Sequence, residues 1–187
     1  AMLCKQMATF HYQRSEVKTF TVPANQQQWA LNQVYAGELP YESIVCFVKT
    51  SAYLGDRKES PFDFKHFDLE HCSLYVESLQ EMIYDLSFET DSYDFVSAYR
   101  NLYATDIGTR FIPGIIDLAD FPGGYCLLRF KLSTANVVRA NRVKQGTGRL
   151  TFKWKKALPE SVTVIILNTF HSEIYMDHGR RIWLTKQ

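Results

Sequence analysis

Histidine, carboxylate and tyrosine side chains occupy every second position from His171 to Asp177, namely His171, Glu173, Tyr175 and Asp177, with His178 beside the last. On an extended strand, residues i, i+2 and i+4 share a face. Side chains of these types, brought together, can ligate a metal or pass protons. The same spacing links His66, Asp68 and Glu70. In both places the alternation also describes the wet face of a half-buried strand, and that reading is adopted. Metal-binding cupins carry a His-x-His pair followed by a Glu and a further His, and this chain has no His-x-His. Gly146-Thr147-Gly148 lacks the lysine and the length of a phosphate-binding loop and reads as a turn. No Gly-x-Ser-x-Gly elbow is present. Cys46, Cys72 and Cys126 lie among apolar neighbours on expected strands, where a thiol behaves as a small buried hydrophobe rather than a nucleophile. The residues thus predict no catalytic group, no cofactor site and no metal centre.

The elements that would carry these groups are mostly strands. Leu150, Phe152 and Trp154 alternate with Thr151, Lys153 and Lys155, the period of a strand with one dry face. After Ala157-Leu158-Pro159-Glu160-Ser161 comes Val162-Thr163-Val164-Ile165-Ile166-Leu167, apolar on both faces. The short connection predicts a hairpin between the two. Residues 16–22 read as a strand closed by Pro23, 29–35 as a weaker one, and 44–48 as a core strand. Residues 52–60 read as a polar loop around Gly55-Asp56. Cys72, Leu74 and Val76 share one face of a further strand, and 82–88 reads as an edge strand. Cys126, Leu128, Phe130 and Leu132 share a face beyond the turn Phe121-Pro122-Gly123-Gly124. A loop is expected over 133–146 and final strands over 171–176 and 181–184.

The period changes once. Tyr93, Val96, Tyr99 and Tyr103 interleave with Phe95, Ala98 and Leu102 at helical spacing, and Thr90, Asp91 and Asp94 supply helix-start chemistry. With one helix inserted near 91–104, no βαβ alternation and about eight strands, the expected fold is all-β: an antiparallel β-sandwich of the jelly-roll kind. The 187 residues fit a single domain, with residues 1–14 expected as an extended or partly disordered arm.

The composition includes 13 Phe and 11 Tyr, rings that favour strands and broad contact surfaces. A net charge of +1 gives no global pull towards nucleic acid. The four cysteines show no CxxC spacing, which suits reduced thiols in an intracellular compartment. No apolar run approaches the length of a membrane span. Charge is nevertheless segregated. Acids dominate from Asp56 to Asp94, whereas Arg139, Arg142, Lys144, Arg149, Lys153, Lys155 and Lys156 form a run without an acid. Three readings stay open: a weak nucleic-acid contact through 139–156, complementary surfaces meeting between copies of the protein, and ordinary solvated faces. Of the two functional readings, subunit contact is favoured, because the apolar residues of the Tyr-rich helix spread round much of its circumference. The expected interface residues are Tyr93, Val96, Tyr99, Tyr103, Arg139, Arg142, Lys144, Lys153 and Lys155.

Several blocks, taken in order, resemble a known family. They are 14–23 (Arg-Ser-Glu-Val-Lys-Thr-Phe-Thr-Val-Pro), Gly37-Glu38-Leu39-Pro40, 44–48, and Pro61-Phe62-Asp63-Phe64-Lys65-His66-Phe67-Asp68-Leu69 with Leu74-Tyr75-Val76. They continue through 124–132, Gly148-Arg149-Leu150, Ala157-Leu158-Pro159, 162–166 and 177–182. The series is similar to the C-terminal jelly roll of the double jelly-roll major capsid proteins of Polinton/Maverick elements and adintoviruses. That resemblance implies a structural, non-enzymatic subunit of an icosahedral shell. Its partners would be other copies and a second jelly roll in a trimeric capsomer, and it would reside in the virion, or inside the cell before assembly. The chain departs from the family in having room for one jelly roll, and carries Asp120-Phe121-Pro122-Gly123-Gly124-Tyr125 where the family has Asp-Tyr directly before its Gly-Tyr. The resemblance therefore also admits a domesticated, capsid-derived binding module for nucleic acid, glycan or a host protein.

Overall fold

A computed structural model of the chain describes residues 7–76, 81–89, 92, 94–104, 115–132, 145–177 and 179–184. Nine strands lie among them: β1 (Ala8–Val22), β2 (Gln28–Glu38), β3 (Glu42–Lys49), β4 (Leu69–Val76), β5 (Met82–Asp85), β6 (Leu128–Lys131), β7 (Gln145–Trp154), β8 (Val162–Met176) and β9 (Ile182–Leu184). Two short helices, α1 (Thr50–Tyr53) and α2 (Val96–Leu102), interrupt them. The first sheet runs β1-β8-β3-β6, with β9 also on β8, and the second runs β2-β7-β4-β5.

All these pairings are antiparallel, and they match first with last: β1 with β8, β2 with β7, β3 with β6 and β4 with β5. One long antiparallel ribbon rolled across two layers gives this pattern, with β3–β8 and β4–β7 contacts closing each sheet. The fold is the expected jelly-roll sandwich. Its interior is built from the dry faces that alternation marks. Leu150, Phe152 and Trp154 of β7, Cys72, Leu74 and Val76 of β4, and Cys126, Leu128, Phe130 and Leu132 around β6 are all buried. Phe47 of β3 meets Phe152 and Trp154 edge-on at 5.2 and 6.0 Å, joining the layers. A polar pin crosses as well: the Tyr35 hydroxyl donates to Ser43 Oγ at 2.6 Å, which donates to Asn168 Oδ1 at 2.7 Å. Burial raises the Tyr35 pKa, against the opposing effect of the Ser43 hydrogen bond. Gly148 leaves room for this ring, since a Cβ there would collide with it.

Five expectations are corrected. β7 and β8 form no hairpin, because they lie in different sheets. Their connection instead bonds to the β1–β2 connection, with Asn25 N–H donating to Leu158 O and Leu158 N–H to Gln26 O. Leu158 thereby closes one end of the core. Alternation identifies a dry face but not a partner, and a strand apolar on both faces gains most between two neighbours. Residues 171–176 are not a separate strand but the second half of β8, and residues 8–14, expected as an arm, are the half of β1 that pairs with it. The polar loop from 52 begins with α1, whose Ala52 is buried against the first sheet. α2 is shorter than the expected helix: it begins at Val96, with no side-chain cap. Asp91 and Thr90 lie outside the described residues.

Candidate functional site

His66, Asp68 and Glu70 do not share a strand face. Phe67 and Asp68 have φ of 49° and 57°, left-handed values that turn the chain before β4 begins. His66 braces this turn: its Nδ1 accepts the Asp68 N–H at 2.9 Å, and its carbonyl accepts the Leu69 N–H at 2.9 Å. The ring stacks on Phe88 at 4.0 Å, and Phe88, Phe95 and Phe121 continue the column. Desolvation lowers the His66 pKa, outweighing the pull of the Asp68 carboxylate, so the imidazole is held neutral as a hydrogen-bond acceptor.

The alternating set on β8 is also dispersed among partners. Glu173 pairs with His11 of β1 at 3.0 Å and accepts the Tyr175 hydroxyl. His171 meets the Tyr41 ring edge-on at 4.5 Å. Asp177 accepts the Arg181 N–H at 2.9 Å in the turn to β9, and His178 lies outside the described residues. Among the described residues, no group of three or more His, Cys, Asp or Glu side chains gathers at ligating distance. Burial pushes the Cys46 and Cys126 thiols up to about 12, with Cys46 adding to the effect at Cys126. Cys72 is raised chiefly by burial too, and all three thiols are free.

A shallow groove opens over the outer side of the second sheet, lined by Glu70, His71, Asp85, Ser97 and Lys153 among others. His71 Nδ1 lies 2.7 Å from Asp85 Oδ1, and Lys153 Nζ lies 2.7 Å from Glu70 Oε2. An imidazole–carboxylate pair can relay a proton, but acyl transfer also needs a nucleophile against it. Ser97, the hydroxyl on α2 beside the groove, donates instead to the Asp94 carbonyl at 3.1 Å.

The expected interface residues divide three ways. Tyr93, Arg139, Arg142 and Lys144 lie outside the described residues. Val96, Tyr99 and Tyr103 pack towards their own chain: the Tyr99 hydroxyl donates to Ile116 O at 2.8 Å, and Tyr103 Oη accepts the Ile116 N–H at 3.2 Å. The rings that spread round the helix therefore hold the segment after 115 as well as the core. Lys153 and Lys155 are ion-paired within the chain, to Glu70 and Glu89. The acidic and basic stretches of the sequence thus meet across neighbouring parts of one molecule.

Sequence reasoning missed a different feature. The β1–β8 register is unbroken from Ala8–Met176 to Val22–Val162, so side-chain parity holds along both strands. The face that carries Val162, Val164, Ile166 and Phe170 into the core continues through Ile174 and Met176. Phe10 and Tyr12 of β1 and Ile182 and Leu184 of β9 lie on the same side. Arg14, 4.4 Å above the Phe170 ring and paired with Glu38 at 2.8 Å, caps the core where this extension leaves it. Beyond that cap Phe10 is 53% exposed, Ile182 65% and Leu184 54%. The signal was present in the sequence as alternation through 8–12 and 170–176, but the second stretch was read for its polar side.

The outer faces of the two sheets differ as well. On the first, Val17, Thr19 and Thr21 of β1 pair with Leu167, Ile165 and Thr163 of β8, with Ile44 alongside on β3. On the second, Lys153 faces His71, Arg149 faces Tyr75, and Asp85 flanks His71. The class of protein so defined is a jelly-roll sandwich whose first sheet has an uncharged outer stretch at the middle of β1 and β8, with charges at its ends and margin, and whose second sheet has a charged outer face. No family model matches the chain. It is 25% identical over 189 residues to uncharacterized protein F54H12.2 of Caenorhabditis elegans, an alignment that takes in 96% of this chain and 44% of that protein. The chain therefore spans less than half the length of this relative. No helix among the described residues is long and apolar enough to cross a membrane.

Proposed function

We propose that this chain is a structural shell-building domain, the C-terminal jelly roll of a double jelly-roll capsid-type protein, and that its work is contact rather than chemistry. The observation that carries the reading is the winding of eight strands as β1-β8-β3-β6 over β2-β7-β4-β5. Two further facts support it. The blocks that resemble the capsid family follow one another collinearly along the chain. A relative of more than twice the length has room for a second unit of this size.

The physics suits the task. A shell subunit needs a stiff body, and two layers joined by Phe47, Phe152 and Trp154 resist shear. It needs broad contacts that are individually weak and act many at a time. The uncharged middle of the first sheet's outer face, from Val17 to Thr21 and from Thr163 to Leu167, offers area without the cost of stripping water from charges. Electron microscopy of the full-length natural polypeptide tests the proposal. Trimeric capsomers or closed shells are expected. A polypeptide that stays monomeric over a wide range of salt and concentration would count against it.

A further inference from the structure

We propose that the apolar side of the β1–β8–β9 extension is a self-association surface, on which a second copy of this chain packs its own extension. The inference rests on the shell-building reading only for its biological use, because the argument itself is local.

A β-layer with one apolar face needs a second layer over it. Under β8 the second sheet supplies that layer as far as Phe170, and Arg14 marks its end. Past that point Phe10, Tyr12, Ile174, Met176, Ile182 and Leu184 form one surface three strands wide. Among the described residues of these strands no charged side chain interrupts it, because His11, His171 and Glu173 occupy the opposite side. Charge decides the occupant. A charged partner would lose hydration here and gain no counter-charge, whereas an identical neutral face meets no like-charge penalty. The match is self-complementary, which is what a two-fold contact requires. Each extension would then supply the layer that the other lacks, as two sheets pack face to face in a sandwich.

The area sets the strength. With a large apolar side chain carrying roughly 150–250 Å², the six exposed or half-buried ones present on the order of 500 Å². A standard stable interface buries about 800 Å² per partner, so the dimer is weak and forms at high protein concentration.

Sedimentation equilibrium from micromolar to millimolar chain tests this. A reversible monomer–dimer equilibrium is expected, with Ile182→Asp/Leu184→Asp weakening it at least about tenfold while the near-ultraviolet circular dichroism stays native. Tyr75→Asp, on the outer face of the second sheet, should leave it unchanged. Amide exchange on the unmutated chain gives a second readout: protection at 8–12 and 182–184 should rise with concentration. A chain that remains monomeric, or an association equally sensitive to Tyr75→Asp, overturns the proposal. Shells from the full-length polypeptide alongside a monomeric chain would sink this surface and spare the shell reading. A dimer without shells would do the reverse.

Discussion

The two sheets of this sandwich meet water in different ways. The second has a charged outer face on which Lys153 pairs with Glu70 of the adjacent strand and His71 lies against Asp85. The first is unfinished. Across β1 and β8 its outer face shows Val17, Ile165 and Leu167 among threonines, and its inner face runs beyond the layer that covers it. Its charged groups lie at the margin, where Arg129 pairs with Glu42, and at the far end of the β1–β8 ribbon, where Glu173 lies against His11. Polar satisfaction within the chain marks the side turned to solvent, and uncovered apolar area marks the side prepared for contact.

The largest effect is expected in the interior that both sheets share. Phe152→Ala should cost about 3–5 kcal/mol in denaturant unfolding, since it removes a ring packed against Phe47 and Trp154. A loss below about 1 kcal/mol would mean that the layers are not held together there.

Next comes the margin of the first sheet. Arg129 Nε donates to Glu42 at 2.7 Å, and its Nη1 donates to the carbonyls of Ala104 at 2.7 Å and Leu102 at 3.3 Å, tying α2 to β6 and β3. Arg129→Ala leaves a largely buried carboxylate alone and should cost roughly 2–3 kcal/mol. Helix loss without a matching loss of global stability would show that α2 is a separate, weakly attached unit.

The turn that leads into the second sheet should carry a pH dependence. An imidazole with a pKa lowered on folding binds fewer protons in the native state than in the unfolded one, so stability rises with pH through that window. Unfolding free energy should therefore fall as pH drops below about 6.5, before carboxylates begin to titrate near 5. His66→Phe keeps a ring on Phe88 and should erase that part of the slope. An unchanged slope would place its origin at another histidine.

The smallest effect belongs to the charged face. Lys153→Ala and Lys155→Ala break exposed ion pairs, and each should cost no more than about 0.5 kcal/mol. The same substitutions should leave self-association unchanged, whereas Leu184→Asp should weaken it with little change in stability. A reversal of that pattern would exchange the roles of the two sheets.

Much of this was readable in the residues, and the limits have a physical cause. Alternation located the dry faces of β4, β6 and β7, and Pro23 located the end of β1, because burial and a missing N–H act on single residues. Pairing partners were not readable. Trp154 and Val162 both face the core, which is equally compatible with one sheet or two. His66 and Asp68 carry strand spacing, but two left-handed residues, neither of them glycine, break the strand between them. The pairing of Lys153 with Glu70 joins positions distant in the sequence and exists only once the β4–β7 register is set. Tyr99 and Tyr103 looked like an outward surface because the segment that receives them, around Ile116, has no periodicity to announce it.

The most direct test of the account is hydroxyl-radical footprinting of the chain, dilute and at associating concentration. Protection is predicted at Phe10, Tyr12, Ile182 and Leu184, with Tyr75 and Ile83 on the second sheet still reactive. Protection of Tyr75 and Ile83 with an open extension would contradict the account.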